Sequence, residues 1–91
     1  MFETVTAKVK IQNLKGLHAR ATSTFVKLAD SFKSDIEVTK QDLTVNGKSI
    51  MGLLMLGAPL GETIKISASG VDAKEAVEAL VKLVNKKFGE E

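Results

Sequence analysis

Near the start of the chain, apolar and polar side chains alternate, and a few residues later the period changes. Val5, Ala7, Val9 and Ile11 take one face and Thr6, Lys8 and Lys10 the other, which predicts a strand with one buried face. Leu17, Ala21, Phe25, Leu28 and Phe32 then recur near helical spacing, which predicts a helix over residues 19–30. A switch of this kind allows only folds in which strands and helices share one core.

The same logic carries to the other end. Ile36 and Val38, then Leu43 and Val45, read as two short strands divided by a turn at Gln41-Asp42, and Asn46-Gly47 ends the second. Ser49 suits the N-cap of one to two helical turns over residues 50–56, which Gly57 and Pro59 stop. Residues 63–68 predict a fourth strand with Ile64, Ile66 and Ala68 inward. Asp72 and Glu75 fit a capping box. A last helix follows, with Ala73, Ala76, Val77, Leu80, Val84 and Phe88 as its inner stripe.

The expected order is β-α-β-β-α-β-α. Strands with one apolar face need that face covered, and helices on one side cover it, which gives an α+β open-faced β-sandwich. Short connections and the lack of an internal repeat predict one domain over residues 1–91.

Composition narrows the function classes. The chain has no cysteine, which removes disulfides and thiolate metal sites and suits a reducing compartment. The start, Met1-Phe2-Glu3-Thr4, lacks the basic and apolar regions of a signal peptide. The apolar run at residues 53–56 is far short of the roughly 20 residues of a membrane span. A cytoplasmic protein without membrane contact is expected. Thirteen Lys and Arg interleave with eleven acids for a net charge of +2. No dense basic stripe or row of stacking aromatics marks a nucleic-acid binder.

The candidate chemical centre is the one histidine, His18, in Gly16-Leu17-His18-Ala19-Arg20. It stands between a strand and a helix start, where unpaired backbone N–H groups favour an anion. Leu17 can anchor inward while His18 faces out, and Arg20 can add a charge-assisted bond. A phosphoryl or anion site follows from that grouping, and a plain surface histidine is the competing reading. One histidine without cysteine, and with no carboxylate cluster in sequence, argues against a metal, and no cofactor is expected. A Ser-His-Asp hydrolase is disfavoured by the small size and the lack of a nucleophile elbow.

Gly16-Leu17-His18-Ala19-Arg20-Ala21-Thr22, followed by Lys48-Ser49-Ile50-Met51-Gly52-Leu53, resembles the HPr family. These are the histidine phosphocarriers of the phosphoenolpyruvate-dependent phosphotransferase system. The resemblance covers nearly the whole chain. It implies a four-stranded antiparallel sheet covered on one face by three helices. It implies that His18 takes a phosphoryl group on Nδ1 from phosphorylated Enzyme I and passes it to a histidine of an Enzyme IIA protein. Arg20 would stabilise the phosphoryl group, and Ser49 would be the site of an HPr kinase/phosphorylase. The protein would be a carrier, not a turnover enzyme.

The resemblance also implies a docking face for both enzymes, made by Leu17, Ala19, Ile50, Met51, Leu54 and Met55 on a monomer. Methionine suits a surface that meets several partners. Ala21 stands where the family usually has proline. Met55 stands where sugar-uptake carriers often have serine, and this stretch looks more like the nitrogen-related branch. The alternative is a regulatory binding protein of the same fold that acts through Ser49 without phosphoryl flux.

Overall fold

The computed structural model describes residues 3–90. Met1, Phe2 and Glu91, which the expected single domain and the reading of the chain's start include, lie outside the described residues. The elements are β1 (Thr4–Lys10), α1 (Ala19–Asp30), β2 (Asp35–Lys40), β3 (Leu43–Asn46), α2 (Ile50–Leu56), β4 (Thr63–Ser69) and α3 (Ala73–Asn85). A single 3-10 turn, Lys87–Gly89, follows. The order is the expected one, and α1 spans the expected residues.

The four strands form one antiparallel sheet in the order β1-β4-β2-β3. The last strand therefore inserts between the first two, and its register sets Ala7 opposite Ile66 and Val38 opposite the same Ile66. One face carries Val9, Ile36, Val38, Ile64, Ile66 and Ala68, all buried. On the other, hydroxyls pair across strands: Thr4 with Ser69 at 2.7 Å, Thr6 with Ser67 at 2.9 Å and Thr39 with Thr44 at 2.8 Å. Polar pairs of this kind keep the uncovered face wet while joining strands.

All three helices cover the apolar face. α3 lies over β1 and β4, and α2 packs against α1 and β3. The buried side of α1 is Ala21, Thr22, Phe25, Val26 and Ala29. Leu28 and Phe32, also expected on its stripe, are half-buried against the core. Full burial of a side chain such as Phe25 or Leu80 contributes about 1.5–3 kcal/mol each. No helix among the described residues is long and apolar enough to cross a membrane.

Two expectations are corrected. Asp72 does not cap α3 with its side chain. Its carboxylate instead accepts from the Lys33 N–H at 2.9 Å, the Ser34 N–H at 3.0 Å and the Ser34 hydroxyl at 2.6 Å. The loop before β2 offers three donors, which outcompetes one orphan helix amide. Phe88, expected on the α3 stripe, is not on the helix. The helix stops at Asn85, and the backbone turns through φ 59° at Lys87 and 56° at Phe88. Phe88 still reaches the core, 7% exposed, from that turn.

Candidate functional site

His18 is the N-cap residue of α1, with extended backbone angles (φ −83°, ψ 178°). The loop before it is wound tightly. Gly16 takes φ 64°, its N–H donates to the Asn13 carbonyl at 3.1 Å, and the His18 N–H returns to the Gly16 carbonyl at 3.0 Å. A side chain at Gly16 would fall against the Ala58 carbonyl oxygen and 2.9 Å from the Pro59 Cα, so this loop sits directly on the segment after α2. Only glycine serves both the conformation and the approach.

The helix then offers its start to solvent. The first intrahelical bond runs from the Thr22 N–H to the His18 carbonyl at 2.9 Å. The N–H groups of Ala19, Arg20 and Ala21 have no acceptor among the described residues. No acidic side chain occupies the first turn, so no carboxylate of α1 itself offsets the positive end of the helix. The His18 side chain is 26% exposed, and Arg20 is exposed beside it. Both line a cleft of about 400 Å³ with Leu14, Lys15, Phe88, Gly89 and Glu90.

The imidazole is not free on both sides. Its Nε2 pairs with Oε2 of Glu90, a residue 72 positions away in sequence. Glu90 Oε1 accepts from the Asn13 side-chain amide at 3.0 Å, and the same amide nitrogen donates to the Gly16 carbonyl at 2.8 Å. Nδ1 of His18 has no partner among the described residues. Partial burial opposes the charge of the Glu90 carboxylate. Hydrogen bonds from His18 and Asn13, with the electrostatic pull of His18 and Lys15, outweigh it and hold the pKa below the ordinary 4.5.

Ser49 caps α2 as expected, its hydroxyl accepting from the Gly52 N–H at 3.0 Å. Beyond it Ile50, Met51, Leu54 and Met55 are exposed by 45%, 68%, 39% and 71%, while Leu53 and Leu56 face the core. Ala19 is exposed. Leu17 departs from the expected docking face: at 6% exposure its side chain belongs to the core, where it anchors the loop under His18. Leu14, 78% exposed in the His18 cleft, is the outward apolar residue of that loop, and sequence reasoning missed it. It also missed Asn13 and Glu90. No local pattern marks either.

Comparison with known proteins gives the family. Residues 5–86 match the family described as "PTS HPr component phosphorylation site". The phosphocarrier protein HPr of Neisseria meningitidis is 51% identical over 82 residues, covering 90% of this chain and 92% of that one. The phosphocarrier protein NPr of Shewanella violacea is 39% identical over 83 residues, 91% of each chain. A crystal structure of HPr from Thermoanaerobacter tengcongensis superposes with a TM-score of 0.92 at 47% identity, covering 96% of this chain and 98% of that one. With a matching fold, a matching length and a histidine at the head of the first helix, the chain belongs to the HPr family of phosphocarrier proteins.

Proposed function

We propose that His18 accepts a phosphoryl group on Nδ1 from phosphorylated Enzyme I and passes it to a histidine of an Enzyme IIA protein. The observation that carries this reading is the division of labour around one ring. Nε2 is occupied by Glu90, and Nδ1 is unpartnered at the head of α1. The amides of Ala19, Arg20 and Ala21 lack acceptors and can hold phosphoryl oxygens. Arg20, exposed in the same cleft, adds a positive charge that suits a phosphoryl group.

The docking face in this reading is Ile50, Met51, Leu54, Met55 and Ala19. A small apolar patch of this kind fits brief encounters by a monomer, as a carrier requires. Ser49 sits at the edge of that patch. A phosphate there would gain from the α2 amides while placing about two negative charges beside the docking face. That supports Ser49 as a regulatory site for an HPr kinase/phosphorylase.

The test is onward transfer. The protein, phosphorylated by Enzyme I and separated from it, is mixed with sugar-type or nitrogen-related Enzyme IIA. Loss of the phosphoryl group to one acceptor, faster than to the other, is the expected result and names the branch. A phosphorylated form that hands its group to neither acceptor contradicts the carrier reading. It would favour a binding protein regulated through Ser49.

A further inference from the structure

Resting on the proposed phosphorylation of His18, we infer that Glu90 is a positioning residue for it. Its carboxylate holds the ring as the Nε2–H form, keeps the Nδ1 lone pair outward, and balances the cation that phosphoryl transfer creates.

The carboxylate is itself held from several directions. Oε2 pairs with His18, and Oε1 accepts from Asn13. The Glu90 N–H donates to the Lys87 carbonyl at 2.9 Å, and the Gly89 N–H to the Lys86 carbonyl at 3.0 Å. The turn needs positive φ at Lys87, Phe88 and Gly89, a conformation that lysine and phenylalanine adopt at a cost. Burial of Phe88 pins it. Gln12 adds a bond to Asn85 at 2.9 Å, fastening the end of α3 to the loop that carries His18.

Asn13 is the second brace. It is fully buried, and its amide nitrogen serves two acceptors, Gly16 O and Glu90 Oε1, while Oδ1 has no partner. Two acceptors on one nitrogen fix which way the amide points. A buried amide with an orphaned oxygen is unfavourable for folding alone. Here it joins the loop of His18 to the carboxylate facing it.

The chemistry follows from proton placement. A neutral imidazole has one N–H, and an acceptor at Nε2 draws it there. In transfer, the Nδ1 lone pair forms the N–P bond as the donor–P bond breaks, and that electron pair leaves with the donor. The proton stays on Nε2, so the ring becomes cationic with Glu90 as its counter-charge. When the group moves on, the N–P electron pair returns to Nδ1 and the ring is neutral again. Lys15 and Arg20 are the other charged groups lining this cleft among the described residues, and Lys15 also acts on the Glu90 carboxylate.

Two variants of the full chain separate the parts of this claim. Nitrogen-15 NMR of the unphosphorylated ring should show the Nε2–H form in the parent and in Glu90→Gln, whose amide oxygen still accepts. It should show a mixture of forms in Glu90→Ala. With Enzyme I at a fixed ratio of phosphoenolpyruvate to pyruvate, the phosphorylated-to-free ratio should fall about threefold to tenfold in both variants. Glutamine restores the acceptor but not the charge. An unchanged ring in Glu90→Ala overturns the positioning role, and an unchanged ratio in Glu90→Gln overturns the counter-charge role. Failure of the parent to be phosphorylated would overturn the carrier reading instead, and with it the counter-charge role. The ring spectrum would still decide the positioning role.

Discussion

The Leu17 N–H donates to the Ala58 carbonyl at 2.9 Å. Both side chains are buried, at 6% and 2% exposure. The bond ties the loop that presents His18 to the segment that leaves α2, so the histidine and the apolar face of α2 are held by one packed joint. Gly16 makes that joint possible, since its backbone lies against Ala58 and Pro59 with φ 64°. Alanine at this position would carry the left-handed penalty and also push the two segments apart. Gly16→Ala should therefore lower stability by about 2 kcal/mol or more in urea unfolding and slow phosphoryl transfer in the same variant. Equal unfolding midpoints for Gly16→Ala and the parent would contradict the joint.

Ser49 has a structural role that can be separated from any regulatory one. Its hydroxyl accepts from the Gly52 amide, so Ser49→Ala should cost about 1 kcal/mol. Ser49→Asp keeps a capping oxygen and should unfold near the parent's midpoint, yet accept a phosphoryl group from Enzyme I more slowly. Paired unfolding and transfer measurements read both. Parent-like transfer by Ser49→Asp would remove the regulatory reading while leaving the cap.

The two faces of α2 should answer differently to the same truncation. Leu53 is fully buried, and Leu53→Ala should cost about 2–5 kcal/mol. Met51 is 68% exposed, and Met51→Ala should stay within about 0.5 kcal/mol of the parent. Transfer from Enzyme I should nevertheless weaken in Met51→Ala, with the apparent affinity changing more than the limiting rate. Unchanged kinetics would move the docking face elsewhere.

Acid should loosen the fold through Asp72 and Glu90. The Asp72 pKa lies below its ordinary 3.8, chiefly through the Ser34 hydroxyl and the Lys33 N–H. Glu90 lies below its ordinary 4.5. For a depressed native pKa the unfolded chain binds more protons across the window. The contribution is therefore fully present above the ordinary value and is lost as pH falls through the native one. Stability measured from about pH 7 down to about pH 2 should begin to fall below about pH 5, and the fall should be shallower in Asp72→Ala. A slope unaltered by Asp72→Ala would mean the carboxylate contributes nothing to it.

Wherever local patterning and core packing ask for the same thing, the elements were legible in the sequence. The alternation of Val5 to Ile11 and the spacing of Ala21 and Phe25 state a period that burial then enforces. Ser49 was legible for the same reason, since a cap and its helix are neighbours. Asp72 was misread because its partners, Lys33 and Ser34, come from a loop that only the folded sheet brings near. Phe88 kept its burial but not its helix, since a buried ring can be reached from a turn as well as from a stripe. The site was half legible. His18 and Arg20 share one short segment, whereas Asn13 and Glu90 meet only after α3 has crossed the sheet. Long-range side-chain pairs of that kind leave no period to read.

The most direct measurement is intact mass after incubation with phosphoenolpyruvate, Mg²⁺ and Enzyme I, for the parent and His18→Ala, using the sugar-type and the nitrogen-related Enzyme I in turn. The account predicts one acid-labile phosphoryl group on the parent with at least one donor and none on His18→Ala. A parent that stays unmodified with both active donors, or a His18→Ala protein that takes up the same group, would contradict it.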